Sequence, residues 1–89
     1  MPSAHLVIKG KVQGVAYRIN ARGVAQRLSL SGWIKNTARG DVEAFATGPQ
    51  EALLRFIEWC RQGPPGADVT DVVVHPAPEK SYPDFSIVR

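Results

Sequence analysis

The sequence predicts an α+β fold: a two-layer sandwich in the order βαββαβ, with a mostly antiparallel sheet and two helices on one face. Two amphipathic helical segments, each preceded by a strand pattern, carry that prediction, together with a pair of strands that return on each other through a tight turn. The length of 89 residues, with 44% apolar and 21% charged, bounds the chain to one small globular domain, residues 1–89. Most of its apolar positions must then be committed to the core.

The first strand is expected over Leu6–Val12, with Leu6, Ile8 and Val12 on one face and Val7, Lys9 and Lys11 on the other. A helix follows over Ile19–Leu30. Its apolar stripe is Tyr17, Ala21, Val24, Ala25 and Leu28, while Arg22, Gln26 and Arg27 take the other side. Strands Trp33–Ala38 and Val42–Thr47 form a hairpin around Arg39-Gly40-Asp41. The second helix, Pro49–Arg61, opens on a proline suited to a first turn and carries Glu51 near its positive end. Leu53, Phe56, Ile57 and Cys60 share one stripe of it, and Gly63-Pro64-Pro65-Gly66 stops it. A strand over Val69–Pro76 and a short additional edge near Phe85–Val88 complete a sandwich of the ferredoxin-like type.

The connection Gly10-Lys11-Val12-Gln13-Gly14-Val15-Ala16-Tyr17-Arg18 joins the first strand to the first helix. Gly14 opens backbone angles closed to other residues, so consecutive N–H groups from Gln13 to Arg18 can converge on one point. The helix N-terminus adds partial positive charge, and Arg18 a planar fork of donors matched to a phosphate or carboxylate. A glycine in such a connection is otherwise simply a turn, and an arginine in a first helical turn is otherwise solvated. The segment is not a nucleotide P-loop, because Val12 follows Gly10-Lys11 where Ser or Thr is required, and it lacks the third glycine of the dinucleotide fingerprint.

A second segment, Gly32-Trp33-Ile34-Lys35-Asn36-Thr37-Ala38-Arg39-Gly40-Asp41-Val42 with Gly48 beyond it, changes the balance. The two segments together resemble the signature motifs of the acylphosphatase family. The first is matched from Gly10 to Arg18 at every fixed position; the second is matched at Gly32, Trp33, Lys35, Asn36, Gly40, Val42 and Gly48. Ile34 stands where the family usually has Val or a smaller residue, a change of packing. The resemblance runs from the first strand to Tyr82-Pro83-Asp84-Phe85, nearly the whole chain.

The resemblance implies hydrolysis of acyl phosphates to a carboxylate and inorganic phosphate. It places the family's phosphate-binding arginine on Arg18, its water-orienting asparagine on Asn36, and its phosphate loop on Gln13, Gly14, Val15, Ala16, Tyr17 and Arg18. The residue chemistry agrees. Phosphoryl transfer asks mainly for positioning and charge neutralisation, and a neutral amide can hold a water in line with the breaking bond. No general base is evident, which leaves a phosphate oxygen of the substrate to accept the proton.

The other candidates point elsewhere. His5 and His75 pair with no nucleophile and read as surface or sheet packing. Cys60 lies on an apolar stripe where burial would leave it inert. Trp33 and Trp59 read as packing aromatics, and Thr37 either serves a strand end or hydrogen-bonds into the site. Asp41, Glu43, Asp68 and Asp71 form no paired set, so the expected mechanism uses no metal and no cofactor. A single cysteine excludes an internal disulfide. The net charge of +3 is scattered, and no basic-Gly-aromatic-Gly-aromatic run accompanies Trp33 and Phe45, so no nucleic-acid partner is expected. No apolar run approaches membrane length and no signal peptide precedes the first strand, so a cytoplasmic monomer acting on a small molecule, without a membrane partner, is expected. Two other readings stay open: a non-catalytic binding module on the same sandwich, and a unit similar to the acylphosphatase-like part of hydrogenase maturation factors, acting on carbamoyl phosphate.

Overall fold

The computed structural model describes residues 1–88. The chain runs β1 Ser3–Lys11, α1 Tyr17–Arg27, β2 Ser31–Asn36, β3 Val42–Thr47, α2 Gln50–Gln62, β4 Asp68–Ala77 and β5 Phe85–Ile87. The five strands form one sheet in the order β4-β1-β3-β2-β5, antiparallel except for the β2–β5 pair, which is parallel. The fold class read from the sequence is the fold observed: a ferredoxin-like sandwich with an added edge strand.

Alternation along the strands decides which side chains meet the helices. Leu6 and Ile8 of β1, Ile34 of β2 and Val42, Ala44 and Ala46 of β3 are all fully buried. They face Tyr17, Ala21 and Ala25 of α1 and Leu53, Phe56 and Cys60 of α2, the stripes expected from periodicity. The bulkier Ile34 is absorbed into this core. Phe56 meets Phe85 of β5 edge to face at 5.5 Å between centroids, which fixes the edge strand to the second helix. Gly32 lies where β2 approaches β3 most closely: a β-carbon there would sit 1.8 Å from the Phe45 carbonyl oxygen.

Several element ends differ from those expected, for local reasons, while β3 has the ends expected. β1 begins at Ser3 because that residue already pairs with Thr47 and Ala77, and its hydroxyl meets the Thr47 hydroxyl at 2.7 Å. α1 ends at Arg27 and not Leu30. Ser29 turns left-handed at φ 59°, and the Leu30 N–H reaches back to the Ala25 carbonyl at 2.9 Å. This C-terminal closure is usually marked by glycine, and no glycine marks it here. The hairpin turn is centred one residue earlier than expected, with the Gly40 N–H donating to the Thr37 carbonyl.

On the face away from the helices, His75, His5, Phe45 and Trp33 stand in one register row across four strands. Tyr82 packs on Phe45 and accepts the Trp33 indole N–H at 3.1 Å. The connection from β4 to β5 is pinned where the Thr47 hydroxyl donates to the Lys80 carbonyl and the Lys80 N–H donates to Ser3 Oγ. That anchoring delivers β5 beside β2 and brings Ile87 and Val88 to the end of the sheet where Asn36 lies.

Candidate active site

Two residues in the left-handed region bend the loop between β1 and α1, Gly14 at φ 77° and Ala16 at φ 59°. Nothing lies within 4 Å of a β-carbon added at Gly14. Glycine is therefore there for its backbone angle and not for room. Ala16 adopts the same region despite its β-carbon, at a cost on the order of 1 kcal/mol, and it forms the N-cap of α1. It has no side-chain acceptor, and no acidic residue sits in the first turn. Among the described residues, the main-chain N–H groups from Gln13 to Ile19 find no acceptor. A helix start left open in this way attracts an anion through its N–H groups and its dipole together.

Arg18 and Asn36 come together at this opening. Both line a narrow slot of about 90 Å³ bounded by Val12, Gly14, Ala16, Tyr17 and Ile19. The slot adjoins a wider cleft of about 410 Å³, whose lining again includes Arg18, Ile19 and Asn36, with Ile87 and Val88 as the far wall. Arg18 is half-buried and forms no ion pair among the described residues, so its guanidinium is not neutralised by a carboxylate. Asn36 ends β2, and strand alternation directs its side chain to the helix side. Its Oδ1 is buried with no hydrogen-bond partner. A buried acceptor left unpaired costs about 1–3 kcal/mol, so something outside the fold must make the arrangement worthwhile.

The remaining loop residues divide by what their side chains do. The Gln13 amide donates to the carbonyls of Thr37, 2.9 Å, and Asp41, 2.8 Å, so the loop is tied to the β2–β3 turn and only the Gln13 main chain is left for a ligand. Val15 packs against the core and, like Gln13, does not line the slot. The Tyr17 ring is buried and its hydroxyl donates to the Cys60 carbonyl at 2.7 Å, which leaves its N–H for the slot. Burial pushes the Tyr17 phenol well above its ordinary range and the Cys60 thiol up to about 12. Cys60 is thus a protonated core residue on α2. Thr37 Oγ1 accepts the Asp41 N–H at 3.2 Å and serves the turn.

His5 and His75 lie on the opposite face of the sheet, His5 hydrogen-bonded to Glu43 and neither near the slot. Among the described residues no group of three or more His, Cys, Asp or Glu converges as a metal site would require, and no helix is long and apolar enough to cross a membrane. Four lining residues escape sequence reading, of which Val12 was expected only as a core-facing strand residue. Ile19 stands out of phase with the α1 stripe, which was the one available signal; Ile87 and Val88 arrive through the parallel pairing of β5, for which periodicity gives none.

A helix start with unpaired main-chain N–H groups, a guanidinium and an unpaired amide oxygen on one slot of a ferredoxin-like scaffold is chemistry suited to an anion such as a phosphoryl group. The acylphosphatase family model matches residues 4–87, and the chain belongs to that family of enzymes. It is 48% identical over 90 residues to the acylphosphatase of Pyrobaculum arsenaticum, covering 99% of this chain and 95% of the relative. The crystal structure of acylphosphatase from Bacillus subtilis superposes with a TM-score of 0.97 at 37% identity, over the full length of both chains. A structure of full-length HypF in a phosphate- and nucleotide-bound form also matches, with a TM-score of 0.87 and 25% identity, but only over 12% of that chain. The lower identity and TM-score of that match favour the acylphosphatase reading over that of a maturation-factor unit.

Proposed function

We propose that this chain hydrolyses the carboxyl–phosphate bond of acyl phosphates, releasing a carboxylate and inorganic phosphate, by in-line attack of a water held by Asn36. The observation that carries the reading is the unpartnered Asn36 Oδ1, buried in the same slot as Arg18 and the open helix start.

The phosphoryl group would occupy the slot, its oxygens taking the main-chain N–H groups from Gln13 to Arg18 and the Arg18 fork. The wealth of donors, with no neutralising carboxylate among the described residues, suits a group that keeps its charge through the transition state. Asn36 Oδ1 accepts one hydrogen of the water and leaves a lone pair directed at phosphorus. An amide oxygen is too weak a base to remove the proton, so the proton passes to a phosphoryl oxygen. Charge is handled by Arg18 and the backbone, and the reading requires neither metal nor cofactor.

Incubation of the purified protein with benzoyl phosphate in the presence of a chelator, against a no-enzyme control, tests the reading. Loss of the acyl phosphate with release of one equivalent of phosphate is expected. Phosphate binding without turnover would support the binding-module alternative in its place.

A further inference from the structure

We infer that Asn20 is a positioning residue for the anion site: its side chain, which lines neither slot nor cleft, holds the Ala16–Tyr17 peptide so that the Tyr17 N–H points at the phosphoryl group. The inference rests on the phosphoryl-binding role proposed above for the slot. The Ala16 carbonyl accepts two hydrogen bonds from this one residue, from the Asn20 main-chain N–H at 3.2 Å and from the side-chain Nδ2 at 2.8 Å. The first is the ordinary opening bond of a helix. The second is additional, and it is the shorter. Peptide bonds among the described residues are all trans, so the N–H of a peptide unit points opposite to its carbonyl. With the carbonyl drawn along α1 toward Asn20, the N–H of the same unit, that of Tyr17, is directed out of the helix start. Ala16 and Tyr17 both line the slot into which it points.

A helix start is ordinarily fixed from the other side. Ser, Thr, Asp or Asn at the N-cap accepts an N–H of the first turn, and that would consume donors an anion needs. Here the N-cap is Ala16, left-handed and without a side-chain acceptor. Asn20 fixes the same turn through its carbonyl and leaves the N–H groups of Tyr17, Arg18 and Ile19 open. Helix stability does not account for the choice of residue. Asn20 is exposed and outside the core-facing stripe of α1, a position where asparagine is a poorer helix former than alanine. A donor on the carbonyl also polarises the peptide unit, which makes the N–H at its other end a stronger donor to the phosphoryl oxygens.

Calorimetry with inorganic phosphate, and steady-state kinetics on acetyl phosphate corrected for spontaneous hydrolysis, test this in the wild-type chain, Asn20→Ala and Asn20→Ser. Alanine removes the side-chain donor; serine restores one, since a helical hydroxyl donates to the carbonyl four residues back. Asn20→Ala should weaken phosphate binding and raise KM together, by on the order of 3- to 10-fold, with kcat within about 2-fold of the wild type. Its melting temperature should equal or exceed that of the wild type. Asn20→Ser should recover most of the lost affinity. A role confined to the fold would do the reverse, lowering the melting temperature with phosphate affinity unchanged. Unchanged affinity in Asn20→Ala, or a loss that serine does not recover, overturns the positioning role and leaves the reaction standing. Phosphate binding that responds to the variants as stated, in a chain that hydrolyses no acyl phosphate, overturns the reaction and upholds the positioning role. A wild-type chain that binds no phosphate overturns both.

Discussion

The Gln13 side chain donates a 2.9 Å hydrogen bond to the carbonyl of Thr37, the residue that follows Asn36. The β1–α1 loop, the proposed phosphate loop, is thereby fastened to the strand end that carries the amide, and a second bond to the Asp41 carbonyl closes the clasp. The Gln13 side chain acts on the site through other residues, so it is a positioning group. Gln13→Ala should lower kcat by on the order of 10-fold through misplacement of loop against amide. It should cost only about 1 kcal/mol in urea denaturation, since both carbonyls keep a backbone donor. A wild-type kcat in this variant would show that the clasp does not govern the geometry.

Asn36 presents the reverse case, a group whose removal is expected to disable the proposed chemistry without harming the fold. Its Oδ1 has no partner to lose. Asn36→Ala should reduce kcat by on the order of 10²-fold or more, leave inhibition by inorganic phosphate nearly intact, and keep or slightly raise the melting temperature. A defect confined to KM, with kcat preserved, would contradict the water-orienting role.

Arg18 is expected to engage the phosphoryl oxygens as a two-pronged donor. A lysine offers a point charge and cannot reproduce the planar fork, so Arg18→Lys should be nearly as damaging as Arg18→Ala, and both should weaken phosphate inhibition. Isothermal titration with phosphate alongside the kinetics checks this. Unchanged phosphate affinity in either variant would remove Arg18 from the site.

Legibility in the sequence follows the range of the interactions involved. β3 was read with its observed ends, Val42–Thr47, because alternation and the flanking Gly40 and Gly48 are local signals. Both helix stripes were readable for the same reason. The end of α1 was not, since Ser29 adopts a left-handed angle that its residue type does not announce. Nor was the strained Ala16, though it sets the direction of the helix start. Arg18 and Asn36 could be named from the motifs, but that they share one slot depends on the β1–β3–β2 pairing and on the Gln13 clasp. The cleft's far wall depends on still longer connections, through Lys80, Thr47 and Ser3.

Cys60 gives a prediction about stability and pH. Its thiol is pushed up to about 12 in the folded protein from an ordinary value near 9, chiefly by burial. The unfolded chain therefore releases this proton first as pH rises. The contribution from the neutral buried thiol is complete below pH 9 and is lost progressively between about 9 and about 12. Denaturation near pH 10 should show stability falling more steeply with pH in the wild type than in Cys60→Ala, by up to about 1.4 kcal/mol per pH unit. The native thiol should resist iodoacetamide at pH 8, and rapid alkylation there would mean that the core around it opens.

The leaving group provides the sharpest test of reaction class. The slot and its boundary present donors, an amide and aliphatic side chains, with no acid among the described residues placed to protonate a departing oxygen. A carboxylate, whose acid has a pKa of roughly 4, departs without help, whereas an alkoxide normally needs a general acid that contributes on the order of 10²–10⁴-fold. Acyl phosphates such as acetyl and benzoyl phosphate should be hydrolysed, while glycerol phosphate and phosphoserine should be left essentially untouched even where they compete for the same slot. Activity should also persist in EDTA, and His5→Ala and His75→Ala should remain active, because both side chains lie across the sheet from the slot. Initial rates on benzoyl phosphate and glycerol phosphate at equal concentration, with the second also tried as an inhibitor of the first, separate binding from turnover. Comparable rates on the two would require a proton donor that the described residues of this site do not supply, and the assignment of an acyl phosphate hydrolase would fall with it.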